Sequence, residues 1–126
     1  MSVKNGIELI AEERRRQIEK EGFDSEHDEQ HEGSELALAA ICYAAPEPIY
    51  ILEVVNPDYA FIFVDPWPED WDPEWDKRLR TPGGRLCPNI KLSLKKRIRN
   101  LVKSGALIAA EIDRLQAPPI DENKEG

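Results

Sequence analysis

The densest group of side chains able to do chemistry is Glu26-His27-Asp28-Glu29-Gln30-His31-Glu32-Gly33-Ser34-Glu35. In a helix, Asp28, His31 (or Glu32) and Glu35 fall three to four residues apart and share one face. Carboxylates in such a row can hold a hard cation such as Mg²⁺, which prefers oxygen ligands and keeps several waters. His27 and His31 are four apart, a spacing that also suits zinc. No HExxH is present, however, and Cys42 is the only nearby thiol. The same acidic run is also what a helix N-terminus favours, because Asp and Glu there complement the macrodipole. Glu32-x-x-Glu35 is formally an ExxE pair, and Glu12, Glu13 and Glu21 add negative field without diagnostic spacing.

A second candidate group lies far along the chain. Lys95, Arg99 and Lys103 form a basic row at i, i+4 and i+8. Such a row can neutralise a phosphate chain, or simply form a solvated face. Glu111, Asp113 and Arg114 follow. Glu111 sits beside the apolar stripe of its helix, and a carboxylate there needs a metal or an arginine such as Arg14. Trp67, Trp71, Trp75 and Tyr59 could stack on a nucleobase, but they could equally close the core of a small protein.

Three helices are expected to position these groups. The first spans about Ile7 to Glu21, with Ile7, Ile10, Ala11 and Ile18 as its buried stripe, Arg14 on the same stripe, and Gly22 as its stop. The second begins at Asp28 or Gln30 and runs to Ala45. Leu36, Ala39, Ala40 and Tyr43 mark its inner face, and Pro46 and Pro48 end it. The third runs from about Leu92 to Leu115. Its expected stripe is Ile98, Leu101, Val102, Gly105, Ile108, Ala109, Ile112 and Leu115. Pro118 and Pro119 stop it.

Eight of the ten prolines fall in residues 46–88, so long helices are disfavoured there. Ile49–Val55 and Tyr59–Val64 read as strands around an Asn56-Pro57-Asp58 turn, a β-hairpin. The tryptophans recur every four residues, but Pro68 and Pro73 interrupt any helix. They are expected to form a loop packed on the helices. The fold class is therefore mainly α: a small bundle of three main helices with a Pro/Trp-rich middle and a β-hairpin. Residues 1–117 form one domain and 118–126 a flexible polar tail.

The whole-chain numbers narrow the function. The 126 residues carry a net charge of −8, with 40% hydrophobic residues and a mean hydropathy of −0.57. No run reaches the roughly 18–20 apolar residues of a membrane span, and the N-terminus has no signal-peptide pattern. Two cysteines without CxxC spacing suggest reduced thiols in the cytoplasm. Charge is polarised: residues 1–45 carry net −6, and residues 89–117 carry net +5. A net-acidic chain is a poor general nucleic-acid binder. An acidic segment facing a basic one suits a metal-and-phosphate site, or two helices pairing charges.

The residues also resemble a family. Its blocks are matched by Glu13-Arg14-Arg15-Arg16-Gln17, Glu21-Gly22-Phe23, the run from Glu26 to His31, Glu35-Leu36-Ala37, and Ala39-Ala40-Ile41-Cys42-Tyr43-Ala44. Pro66-Trp67-Pro68 and the run from Trp71 to Lys77 match a Trp-Pro-rich stretch, and Arg99 to Leu115 match the closing block. Together they are similar to the phage and prophage dATP/dGTP diphosphohydrolase-like family, related to MazG-like all-α nucleotide pyrophosphatases. The resemblance implies a Mg²⁺- or Mn²⁺-dependent enzyme that cleaves a (deoxy)nucleoside triphosphate to the monophosphate and pyrophosphate in the cytoplasm of a bacterial host. It carries over Asp28, Glu35 and Glu111 as metal ligands, and His31 and Glu35 as catalytic residues. Lys103 and Arg114 become phosphate contacts, with Arg14 beside them as a second choice and Glu13 as a further second-choice site residue. The partner is a nucleotide, with a homodimer by analogy and neither a membrane nor general nucleic-acid binding. Glu32-x-x-Glu35 is not followed by the usual nearby ExxD. That leaves a second expectation, a non-catalytic phage protein that sequesters a nucleotide or a host protein.

Overall fold

The structure is a computed structural model, described for residues 3–21, 34–55, 60–69 and 71–116. Helix α1 spans Gly6–Glu21, α2 spans Glu35–Ala44 and α3 spans Leu94–Gln116. Strands β1 (Ile51–Val54) and β2 (Phe61–Val64) form an antiparallel hairpin with Ile51 opposite Val64. The expected mainly α architecture with a small hairpin is what folds. The second helix was expected to start at Asp28 or Gln30, but α2 begins at Glu35 with Ser34 as its N-cap, whose backbone (φ −137°, ψ 37°) is not helical, so one unbroken helix carrying Asp28, His31 and Glu35 on a common face is not what folds. The Asn56–Asp58 turn and the tail from residue 118 lie outside the described residues.

Local chemistry explains the boundaries. Asn5 Oδ1 accepts from the Glu8 amide at 2.9 Å, while Glu8 Oε1 accepts from the Asn5 amide at 2.8 Å. This reciprocal capping box starts α1. Ser93 does the same job for α3, its hydroxyl accepting from the Lys96 amide. Asn89 closes the other end of α2: its Nδ2 donates to the Tyr43 and Ala45 carbonyls at 2.8 and 2.7 Å. Asn100 on α3 then donates to Asn89 Oδ1 at 2.7 Å, clipping α2 to α3.

The core sits between α2, α3 and the tryptophan loop. Leu36, Ala39, Ala40 and Tyr43 are buried, as the periodicity of α2 predicts. Ala106, Leu107 and Ala110 of α3 meet them. Small residues on both helices permit close approach, and Ser104 Oγ donates to the Ala40 carbonyl at 2.8 Å across the contact. Trp71 completes the cluster and Trp67 packs against it, so two of the three tryptophans turn inward as expected, while Trp75 stays exposed.

The expected buried stripes of α1 and α3 need correction. In α1 it is Glu13, Arg14 and Gln17 that are buried, while Ile7 is 81% exposed and Ala11 and Ile18 are also exposed. In α3 the inward face is Val102, Ser104, Ala106, Leu107 and Ala110. Ile98, Leu101, Ile108, Ile112 and Leu115 point outward. The reason is that the polar residues of α1 find partners on α3, and the alanine-rich face of α2 selects the small side of α3 rather than its bulky side. The crossing of α1 and α3 is tight: a methyl at Gly105 would come within 2.5 Å of Ile10 Cδ1.

Both cysteines are free thiols. Cys42 is buried, and burial, reinforced by Asp65, pushes its pKa up to about 12. A buried, protonated thiol is a poor nucleophile. In the folded protein, iodoacetamide at pH 8 should alkylate the half-buried Cys87 before Cys42. Mass spectrometry showing equal labelling would contradict this packing.

Candidate functional site

A cavity of about 410 Å³ opens where α1, α2, α3 and the tryptophan loop meet. Glu13, Arg16, Gln17 and Lys20 line it from α1, Tyr43 from α2, and Lys103 and Leu107 from α3. Trp67, Trp71, Glu74, Trp75 and Lys77 complete it from the loop. The wall is thus aromatic, and four cations and two carboxylates share it.

The aromatic wall is a ladder of edge-to-face contacts. Tyr43 and Trp67 have ring centroids 5.8 Å apart, Trp67 and Trp71 5.6 Å, and Trp71 and Trp75 5.5 Å. Such arrangements match the positive ring edge to the negative ring face. Two further devices hold the ladder. Tyr43 Oη accepts from the Lys77 amide at 2.8 Å and donates to the Trp75 carbonyl at 3.4 Å. Arg78 lies over Trp67, 5.2 Å from the ring centroid.

Arg78 is the anchor of the loop. Its guanidinium donates to Asp65 Oδ2 at 2.6 Å and to Asp76 Oδ1 and Oδ2 at 2.9 and 2.8 Å. Its own amide donates to Asp76 Oδ1 at 3.1 Å. Burial by itself would raise the Asp76 carboxyl, but the Arg78 side-chain and backbone hydrogen bonds outweigh it and hold the group below its ordinary 3.8.

The floor carries a second ionic network. Glu13 accepts from Arg16 Nε and Nη2 at 3.0 and 2.8 Å and from Arg99 Nη1 at 2.7 Å. Burial again pushes this carboxyl up, and the two arginines more than reverse the shift, holding it below its ordinary 4.5. A carboxyl lowered on folding stabilises the fold fully above its unfolded pKa, and that stability is lost as pH falls through the folded value. The melting temperature should therefore be flat from pH 7 to above 4.5, then drop as the pH is taken through 4.5 and 3.8 and below. Glu13→Gln should shallow the drop; a curve of unchanged shape would remove Glu13 from the acid response.

The residues singled out in the sequence fall in different places. Lys103 lines the cavity, half-buried, its Nζ 5.4 Å from the Tyr43 ring centroid. Glu35 is half-buried and does not line the cavity, and among the described residues its Oε1 is enclosed without a hydrogen-bond partner. Glu111 is held by Arg114, with Arg114 Nε and Nη2 donating at 2.9 and 3.1 Å. Arg14 is buried and donates to Asp113 Oδ2 at 3.3 and 3.1 Å. Arg14, Arg114 and Glu111 thus sit in ion pairs outside the cavity lining. Asp28 and His31 lie outside the described residues. Among the described residues no three His, Cys, Asp or Glu side chains gather as a metal site.

Arg16, Gln17, Tyr43, Lys77 and Arg78 were not picked out as site residues. The sequence signals for the cavity were the four-residue recurrence of Trp67, Trp71 and Trp75 and the basic row that includes Lys103. No helix among the described residues is long and apolar enough to cross a membrane. No protein-family model, curated protein or solved structure matches the chain.

Proposed function

We propose that this protein is a nucleoside (deoxy)triphosphate pyrophosphohydrolase, dependent on Mg²⁺ or Mn²⁺, that releases the monophosphate and pyrophosphate. The observation that carries the reading is the cavity, which sets an aromatic ladder beside Arg16, Lys20, Lys77 and Lys103. Aromatic faces hold bases of any sequence by stacking. Lysines and arginines beside them supply charge-assisted hydrogen bonds to phosphate oxygens. A flat aromatic joined to a polyanion is the ligand with this complement.

The metal belongs to the same proposal. Among the described residues the enclosed Glu35 Oε1 lacks a partner, as Gln17 Oε1 does, and a cation could satisfy it. Glu111 would join it only by sharing its carboxylate with Arg114, and Asp28 and His31 are the remaining candidates. A bound Mg²⁺ would supply charge neutralisation and an activated water. The chain's own residues bind the base, neutralise the phosphates and enclose the ligand. The phage or prophage origin, the cytoplasmic location and a homodimer accompany this proposal.

A second reading is favoured by one observation: Glu13 and Glu111 are both committed to arginines. A protein that binds a nucleotide without cleaving it would keep the cavity and need no free carboxylates.

The test is a panel of ribo- and deoxynucleoside triphosphates incubated with Mg²⁺ and assayed for pyrophosphate, with calorimetric binding in parallel. Lys103→Ala should weaken triphosphate binding by about 1–3 kcal/mol, the range for a charge-assisted hydrogen bond. Glu35→Gln should abolish pyrophosphate release while leaving nucleotide affinity nearly unchanged. Binding without release at any metal concentration would establish the second reading, and absence of both would defeat both.

A further inference from the structure

The β-hairpin is poorly sheltered by the rest of the fold. All four residues of β1 are exposed, and so are those of β2 except half-buried Val64. Leu52 stands opposite Phe63, and Val54 opposite Phe61. Cross-strand partners share one face of the pleat. These four side chains, 51–73% exposed, therefore make one wholly apolar face. The other face sets Ile51, Ile62 and Val64 around a single charge, Glu53. A two-stranded hairpin alone is marginal in water; a third strand or a packed helix is what normally holds it.

The edge of β1 is as open as its faces. The Val55 amide donates to the Ala60 carbonyl at 2.9 Å. Hydrogen-bonded and non-hydrogen-bonded pairs alternate along an antiparallel ladder. With Val55 bonded, Glu53 and Ile51 also turn their backbone groups to β2, and Leu52 and Val54 turn theirs outward. Those outward groups have no backbone partner among the described residues.

We propose that an extended segment of another protein adds to β1 as a third strand, with apolar residues at alternate positions and a lysine or arginine opposite Glu53. Charge selects this occupant. Between Lys20 and Lys77 the chain carries sixteen Asp and Glu and no lysine or arginine. A second copy would bring acid to acid, and an anionic lipid surface attracts basic segments rather than acidic ones. The chain's own segments outside the described residues are no substitute, because residues 22–33 and 117–126 are both polar and net acidic. An added antiparallel strand would meet Glu53 at a non-hydrogen-bonded position, where side chains approach most closely. Main-chain bonds to Leu52 and Val54 would supply the affinity. The apolar face and the Glu53 pair would supply the selectivity. No residue of the hairpin lines the cavity, so the inference stands or falls independently of the nucleotide reading.

The test is a fluorescein-labelled nine-residue peptide, titrated with the full-length chain and followed by anisotropy. Valine occupies its even positions, lysine its centre and threonine the rest. Saturable binding is expected. The Leu52 and Val54 amides should become protected from hydrogen exchange, while those of Ile51 and Glu53 change little. A twin with glutamate at the centre should bind about fivefold more weakly, the scale of one cross-strand charge pair. Glu53→Lys should reverse that preference, which the bulk charge of the chain could not do. Leu52→Thr/Phe63→Thr should weaken the lysine peptide about tenfold through lost apolar contact. Val54→Thr tests the same face should that pair fail to fold. Absence of saturable binding, equal affinity for the twins, or protection that spares Leu52 and Val54 would overturn the proposal. So would co-sedimentation of the free chain with phosphatidylcholine vesicles, or a dimer of the free chain, if either is lost in Leu52→Thr/Phe63→Thr. The hairpin would then belong to a lipid surface or to a second copy.

Discussion

Replacing Arg78 with alanine should lower folding stability by about 3–5 kcal/mol, the loss that follows when one partner of a buried ionic network is removed. Its side chain is 8% exposed and serves two carboxylates, Asp65 and Asp76. Without it, both acids remain, one nearly buried and the other partly so, with only the longer 3.4 Å contact from Arg80 left on Asp76 among the described residues. Among the described residues, Asp65 would keep its contacts with the Trp67 amide and the Cys42 thiol. Trp67 would also lose the cation over its ring. The damage is therefore expected in the loop first. Urea denaturation followed by tryptophan fluorescence should show a large fall in midpoint. Arg78→Lys should recover only part of it, because an ammonium cannot reproduce the fork that serves both aspartates. A midpoint within the error of wild type would show that the loop is held by its aromatics alone.

Trp71→Ala should cost about the same, roughly 3–5 kcal/mol, by a different route. Trp71 is 6% exposed and lies in one cluster with Leu36, Tyr43 and Leu107. It is also the middle rung between Trp67 and Trp75. Removing it leaves a void that α2 and α3 cannot close, because Asn89, Asn100 and Ser104 fix their separation. The cavity wall is lost at the same time. Under the proposed function, nucleotide binding should therefore fall by about tenfold or more, the scale of one lost stacking contact, at a temperature where the variant is still folded. Trp75→Ala supplies the contrast: Trp75 is 38% exposed, so stability should change much less while the ladder shortens. If both variants lose stability equally, the edge-to-face ladder rather than burial dominates the loop.

Much of the frame was legible in the chain. The alternation of three and four gave all three helices, and the two β-branched runs gave the hairpin. Pro46 marked the end of α2, and Ala39, Ala40 and Tyr43 marked its buried face. These features depend on neighbours a few residues apart, which any segment carries with it. The candidate site was less legible. Lys103 was singled out and lines the cavity, and the tryptophans were noted for both roles. Glu13 and Arg16 lay in a charged run with nothing to separate buried Glu13 and half-buried Arg16 from Arg15, which is exposed.

What the sequence determined by itself is therefore the set of elements and their amphipathic character. What only the tertiary structure decided is which face each element turns inward. Helix α3 offers a bulky apolar face and a small-residue face, and its periodicity favours the first. Packing chose the second, because Ala39 and Ala40 of α2 leave room for close contact only with residues such as Ala106 and Ala110. Helix α1 buries Glu13 and Arg14 because Arg99 and Asp113 wait on α3, in partnerships that span 86 and 99 residues of chain. A buried charge is tolerable only when its partner is already in place, and no local pattern can say where that partner will be.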